Sequence, residues 1–162
     1  MITEDIWYPK RKIISLDKAK QIIFELKKDG KKVGFTNGCF DCCHLGHLSS
    51  FLQAKQHCDI LVVGVNSDAC VKSYKGENRP IQDEKTRAML LACLEFIDFV
   101  IIFDDRTALP LVEALKPDII AKEGYSLDKW PEGQFVQSYG GQAITLERID
   151  GYSTSELIKK MQ

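Results

Sequence analysis

Two hydrophobic periods alternate along the chain. Leu16, Ala19, Ile22, Ile23 and Leu26 keep the three- and four-residue spacing of one helical face. Ser15-Leu16-Asp17-Lys18 offers that helix an N-cap, and Asp29-Gly30 stops it. "KVGFTNG" (32–38) then reads as a short buried strand running into a turn. Leu48, Phe51, Leu52 and Lys55 place a second helix over 45–56. "ILVVGV" (60–65) is an unbroken apolar run between polar neighbours, the pattern of a parallel strand covered on both faces. The alternation repeats with a helix over 83–94, the strand "FVIIF" (99–103) and a helix over 108–115 closed by Lys116-Pro117. The strand "DIIA" (118–121), a short helix over 135–139, the strand "AITL" (143–146) and a last helix over 153–161 complete it.

Strands separated by helices predict a parallel sheet with right-handed crossovers. The expected fold class is therefore α/β: a single doubly wound, Rossmann-like parallel sheet of about five strands with helices on both faces. The chain of 162 residues reads as one domain. Residues 1–30 form an N-terminal extension and helix, and 31–162 the α/β core. Ligands of such sheets bind beyond the C-terminal strand ends, where strand order reverses. "TNGCFD" leaves the first strand directly, so it is expected at that edge.

Composition narrows the partners. Hydrophobic residues make up 44%, charged residues 28%, and the net charge is -1, ordinary values for a soluble globular protein. No global charge excess predicts a nucleic acid or a membrane as partner, so any anion binding must be local. The N-terminal "MITEDIWYPKRKIISL" has acids before its bases and no apolar run, unlike a signal peptide. No stretch approaches the ~18 apolar residues that span a bilayer. A cytoplasmic location is expected. The six cysteines (39, 42, 43, 58, 70, 93) are expected to be reduced thiols, with Cys58, Cys70 and Cys93 as small buried hydrophobes.

"GFTNGCFDCCHLGHLSSF" (34–51) is the densest chemistry in the sequence. Cys39, Cys42, His44 and His47 raise the possibility of zinc, but a structural zinc site usually draws its second ligand pair from a separate loop. Here all four crowd into nine residues, so no metal is expected at this cluster. A redox CxxC fits poorly with Phe40-Asp41 between the cysteines and Cys43 after them. A third reading starts from the turn. Thr36-Asn37-Gly38 leaves a strand, and His44-Leu45-Gly46-His47 begins a helix whose free N–H groups make an anion site. Gly46 permits close backbone approach, and the two histidines can point at one phosphate. Such a His-x-Gly-His arrangement suits nucleotidyl transfer, where positioned donors stabilise dispersed negative charge.

On these residues the chain resembles the HxGH nucleotidyltransferase superfamily, the cytidylyltransferase-like α/β fold. Within it, the motifs are most similar to those of the heptose 1-phosphate adenylyltransferases. The similarity runs from about Ile13 to Met161, through "FTNGCFDCCHLGH", "LVVGVNSDACVKSYKGENRP", "TRAMLLACLEFIDFVIIFDD", "LKPDIIAKEGY" and "GYSTSELIKKM". Bifunctional members carry a kinase domain upstream, so this chain resembles the stand-alone form. The resemblance implies that Thr36, Asn37, Gly38, Phe40 and Gly46 surround the nucleotide phosphates and that His44 and His47 contact the α- and β-phosphates. Asp41 has three candidate roles: satisfying turn or helix-start N–H groups, contacting substrate or its Mg²⁺, or orienting a histidine.

Lys72, Lys75 and Arg79 fall in "VKSYKGENRP", which reads as a loop at the ligand edge, with Arg87 on the next helix. By resemblance Lys72, as a catalytic residue, and Lys75 neutralise phosphates. Arg79 and Arg87 bind the sugar phosphate or leaving pyrophosphate, arginine's fork matching phosphate oxygens. Ser153, Thr154 and Ser155 open the last helix with a capping-box pattern to Glu156 and are also expected to cradle the β,γ-phosphates. Lys122 is expected near the nucleotide. The family commonly shows Lys-Gly-Gly-Asp-Tyr/Trp there, whereas this chain reads Lys122-Glu123-Gly124-Tyr125. Tyr125 and Trp130 are either base-stacking or core aromatics. The implied reaction joins ATP, with Mg²⁺, to a sugar 1-phosphate, releasing pyrophosphate. A homodimer using the "IWYP" segment (6–9) is a further expectation.

Overall fold

The computed structural model describes residues 9–161. Residues 6–8 of the "IWYP" segment lie outside the described residues, and with them the expected dimer contact. Five strands form one all-parallel sheet: β1 (Val33–Gly38), β2 (Ile60–Asn66), β3 (Phe99–Phe103), β4 (Ile119–Glu123) and β5 (Gln142–Leu146). Their order is β3-β2-β1-β4-β5, so the chain winds one way from β1 and then the other. The reversal falls between β1 and β4, and the ends of these two strands hold Gly38 and Glu123.

The apolar run of β2 follows from its two covered faces. Leu61, Val63 and Val65 pack with Phe51 and Ala54 of α2 (Leu45–Lys55) and Ala88 and Leu91 of α4 (Glu84–Ala92). Val62 packs on the other face with Ile23 of α1 (Leu16–Lys28), Leu111 and Val112 of α5 (Leu109–Leu115) and Val136 of α6 (Pro131–Ser138). A strand buried on both faces has no polar side to show water. α7 (Thr154–Met161) ends the described chain. Among the described residues, no helix is long and apolar enough to cross a membrane.

Two segments depart from the sequence expectation. "VKSYKGENRP" is not all loop: α3 spans Asp68–Lys75, capped by Ser67, whose hydroxyl accepts the Cys70 N–H, and ended by Gly76 at φ 92°. The helix over 135–139 instead runs Pro131–Ser138, because Pro131 supplies the fixed φ of a first helical turn. Trp130 is 1% exposed and belongs to the core. All six cysteines are free, but only Cys70 is buried, and Cys93 is exposed, against the expectation of three buried thiols.

Candidate active site

β1 delivers the chain to the reversal point and the next four residues turn sharply. Phe40 and Cys42 sit at φ 50° and 52°, a left-handed backbone that side chains other than glycine rarely adopt. This turn sends the Phe40 ring back over Gly38, where a Cβ would lie 3.0 Å from the ring. It also buries Asp41, which is 1% exposed. The Asp41 carboxylate accepts from Arg79 Nε (2.8 Å), the Ile81 N–H (2.9 Å) and the Gln82 N–H (3.1 Å). Burial pushes its pKa up, but these three donors and the Arg79 charge outweigh burial and leave it below the usual value. Its backbone carbonyl accepts the Thr154 hydroxyl at 3.0 Å. One residue thus ties the turn, the 79–82 loop and α7 together.

His44 is the N-cap of α2 in an extended conformation, and its side chain does not cap the helix. The first-turn N–H groups therefore keep their anion-binding capacity. The His44 and His47 rings stack with centroids 3.8 Å apart, and Phe40 packs edge-on to His47. Gly46 lies beneath them, and a Cβ there would come within 3.1 Å of the His44 ring. Nδ1 of both histidines is buried and has no partner. Burial lowers the His47 pKa to about 4, helped by His44 and by Lys75. Burial also lowers that of His44, and the Glu123 charge opposes it.

His47 borders a cleft of about 210 Å³ lined also by Thr36, Asn37, Gly38, Phe40, Lys75, Lys122 and Thr154; His44 and Gly46 do not line it, and His44 lies behind His47 in the stack. A larger hollow of about 640 Å³, among Arg11, Lys12, Cys93 and Phe99, lies at the N-terminal ends of β2 and β3, away from the histidines. Of the expected cations, Lys75 and Lys122 reach the cleft, and the Lys122 ammonium sits 4.4 Å from the Tyr125 ring centroid. Lys72 does not line it: it is exposed on α3.

Arg87 is corrected from substrate ligand to internal clamp. It is fully buried and donates to the carbonyls of Gln82, Cys39 and Asn66 and to the Asp68 carboxylate, so its fork is already occupied. Asp41 is corrected likewise, since its oxygens face protein donors. Arg79 is held by Asp41 through Nε, while its Nη2 is buried without a partner. Of the serine-threonine run Thr154 alone borders the cleft, and Ser155 is exposed.

Sequence reasoning missed Cys39, Ser50, Glu123 and Leu146 in the lining. Ser50 was detectable from its place one turn after His47, and Glu123 from its place at a strand end where the resembled family carries glycine. Among the described residues no three His, Cys, Asp or Glu side chains converge as a metal site. The Cys39 thiol contacts the Tyr74 hydroxyl, and burial raises the pKa of Cys42 and Cys43.

A cytidylyltransferase-like family model matches residues 35–160. The chain belongs to the cytidylyltransferase-like family. It is a nucleotidyltransferase. Bifunctional protein HldE of Paramagnetospirillum magneticum is 45% identical over 159 residues, covering 98% of this chain and 33% of that protein. Bifunctional protein HldE of Geobacter metallireducens is 47% identical over 154 residues, covering 93% of this chain and 31% of that protein. The chain thus spans about a third of the length of these relatives. Among solved structures, a lipopolysaccharide core biosynthesis protein from Thermoplasma volcanium matches with TM-score 0.64 at 27% identity, over 75% of this chain and 100% of that one. A pantoate-beta-alanine ligase from Francisella tularensis, complexed with beta-gamma ATP and beta-alanine, matches with TM-score 0.62 at 16% identity, over 85% of this chain and 68% of that one. That likeness speaks to the fold.

Proposed function

We propose that this nucleotidyltransferase transfers an adenylyl group from ATP to D-glycero-D-manno-heptose 1-phosphate, giving ADP-heptose and pyrophosphate. The observation that carries the transfer is the stacked His44–His47 pair at the uncapped start of α2, with unpartnered Nδ1 atoms and with His47 lining the cleft together with Lys75 and Lys122. The motif resemblance from "FTNGCFDCCHLGH" to "GYSTSELIKKM" supports the heptose substrate, and the extended identity to the HldE proteins is consistent with it.

A phosphate oxygen of the sugar 1-phosphate attacks the α-phosphorus of ATP. The new P–O bond forms as the α–β bridge breaks, and pyrophosphate carries away the electron pair. The nucleophile is already an anion, so no side chain needs to remove its proton. Catalysis then rests on positioning and on neutralising charge. His44, His47 and the first-turn amides of α2 face the reacting phosphates, and Lys75 and Lys122 balance the charge. Arg79 does not line the cleft and is held in place by Asp41. Mg²⁺ would ride on the triphosphate's own oxygens and water: Asp41 is engaged by protein donors, and Glu123, the one carboxylate lining the cleft, is bonded to Ser50. The ion neutralises phosphate charge when bound.

The test is pyrophosphate release from ATP or CTP paired with heptose 1-phosphate or glycerol 3-phosphate. Turnover with ATP and heptose 1-phosphate is expected to exceed the other three pairs. Preference for CTP with glycerol 3-phosphate would overturn this substrate assignment in favour of a cytidylyltransferase for alcohol phosphates. Zinc in the purified protein that is lost with Cys39→Ser and Cys42→Ser would favour a non-catalytic metal-binding role.

A further inference from the structure

The mechanism leaves Glu123 without a task beyond offering a carboxylate to the cleft. It is the last residue of β4, across the reversal point from β1, and it lines a cleft whose other charged or basic groups are Lys75, Lys122 and the His47 imidazole. It forms no ion pair among the described residues. Its Oε1 accepts a hydrogen bond from the Ser50 hydroxyl, which also lies 2.9 Å from the Gly46 carbonyl. Ser50 follows His47 by three residues, so it shares that face of α2. The contact therefore joins the end of β4 to the helix that carries both histidines.

Electrostatics gives the contact a second consequence. His44 is partly buried, which disfavours the imidazolium, and Glu123 is the one charge that opposes this. The other charged or titratable groups nearby do not. His47 stacks on His44 from the same helix, Lys75 of α3 acts on His47, and Lys122 of β4 rests on the Tyr125 ring. Tyr152 approaches the same glycine from the segment before α7. An imidazole that must donate to a phosphate gains from a nearby anion, provided that anion is held off the phosphate itself. The Ser50 hydrogen bond directs Glu123 toward α2.

We propose that Glu123 is a positioning residue for nucleotidyl transfer, bracing the His44–His47 helix through Ser50 and supplying the negative charge that makes His44 a better phosphate donor. Its catalytic half rests on the adenylyl-transfer reading; its electrostatic half does not. The test uses the full chain, with the three histidines followed by NMR through a pH titration and pyrophosphate release measured in parallel. Glu123→Gln keeps the shape and the acceptor but removes the charge. It is expected to move the His44 midpoint to lower pH and to cut kcat by roughly tenfold or more, with KM for ATP within about twofold of wild type. Glu123→Asp keeps the charge and is expected to hold the midpoint closer to wild type.

A His44 midpoint that Glu123→Gln does not lower overturns the proposal. So does a midpoint that Glu123→Asp lowers as far, or a kcat that Glu123→Gln leaves within about twofold of wild type. If the wild-type protein releases pyrophosphate from none of the four substrate pairs, the substrate assignment falls, and the NMR titration still decides whether Glu123 governs His44.

Discussion

His47 carries the most chemistry per atom of any residue in the chain. Burial holds its pKa at about 4 against an ordinary 6.5, so the folded protein keeps the ring neutral while the unfolded chain protonates it. The unfolded state therefore binds more protons between those two values, and stability falls as pH drops through that window, by at most about 3 kcal/mol from this group. His44, shifted the same way, adds in the same direction. Urea unfolding from pH 7 to 4 is expected to show this slope, and His47→Ala to flatten it. The same variant is expected to lose several hundred-fold in turnover, the scale of one lost transition-state donor; near-normal activity in a folded variant would remove His47 from the mechanism. Asp41 works oppositely, by structure alone. Asp41→Ala strands the Arg79 guanidinium and two backbone N–H groups in a buried site, and a loss on the order of 3 kcal/mol is expected in the same unfolding assay. A loss near zero would mean that the 79–82 loop does not depend on it.

At the scale of elements, α2 is a support for its own first turn. Glycine inside a helix costs up to ~1 kcal/mol relative to alanine, so Gly46 has a reason other than stability. A Cβ there meets the His44 ring at 3.1 Å and the Tyr152 Cβ at 3.5 Å. Gly46→Ala is therefore expected to leave the melting temperature nearly unchanged, propensity offsetting crowding. Turnover is expected to fall by roughly ten- to a hundredfold as His44 leaves its stack. A variant that melts normally and turns over normally would show that the stack is not needed. The glycine was legible in the sequence as a residue permitting close approach, though not that the approaching group is a histidine ring. α3 was missed at this scale. Its signals, Ser67 as cap and Gly76 as stop, were present, but eight residues with five exposed, including Lys72, Ser73, Tyr74 and Lys75, look like a charged loop.

For the molecule as a whole, the reversal of strand order between β1 and β4 brings residues 36–40, 47, 50, 75, 122–123, 146 and 154 to one cleft. A ligand gripping so many separate segments stabilises the entire fold by mass action. ATP at about a hundred times its Kd adds roughly 2.7 kcal/mol. At about 2–4 °C per kcal/mol for a chain of this size, the melting temperature is expected to rise by roughly 5–10 °C. Differential scanning fluorimetry with ATP, CTP and pyrophosphate checks this, and no shift with any nucleotide would count against the cleft as the binding site.

The order of the strands along the chain, the parallel sheet and the His-x-Gly-His turn at its edge were determined by the sequence alone, because periodicity and turn residues act over a few neighbours. "ILVVGV" could only be a doubly covered strand, and His44 and His47 could only share one helical end. Which charged residues reach the cleft was decided by the tertiary structure. Arg79 and Arg87 look alike in sequence, yet the fold pairs one with Asp41 through Nε and closes the other around Cys39, Asn66 and Asp68. Glu123 reads as a departure from a motif until Ser50, 73 positions away, comes against it. A buried charge takes its role from the partners that desolvation forces on it, and those partners are distant in the chain.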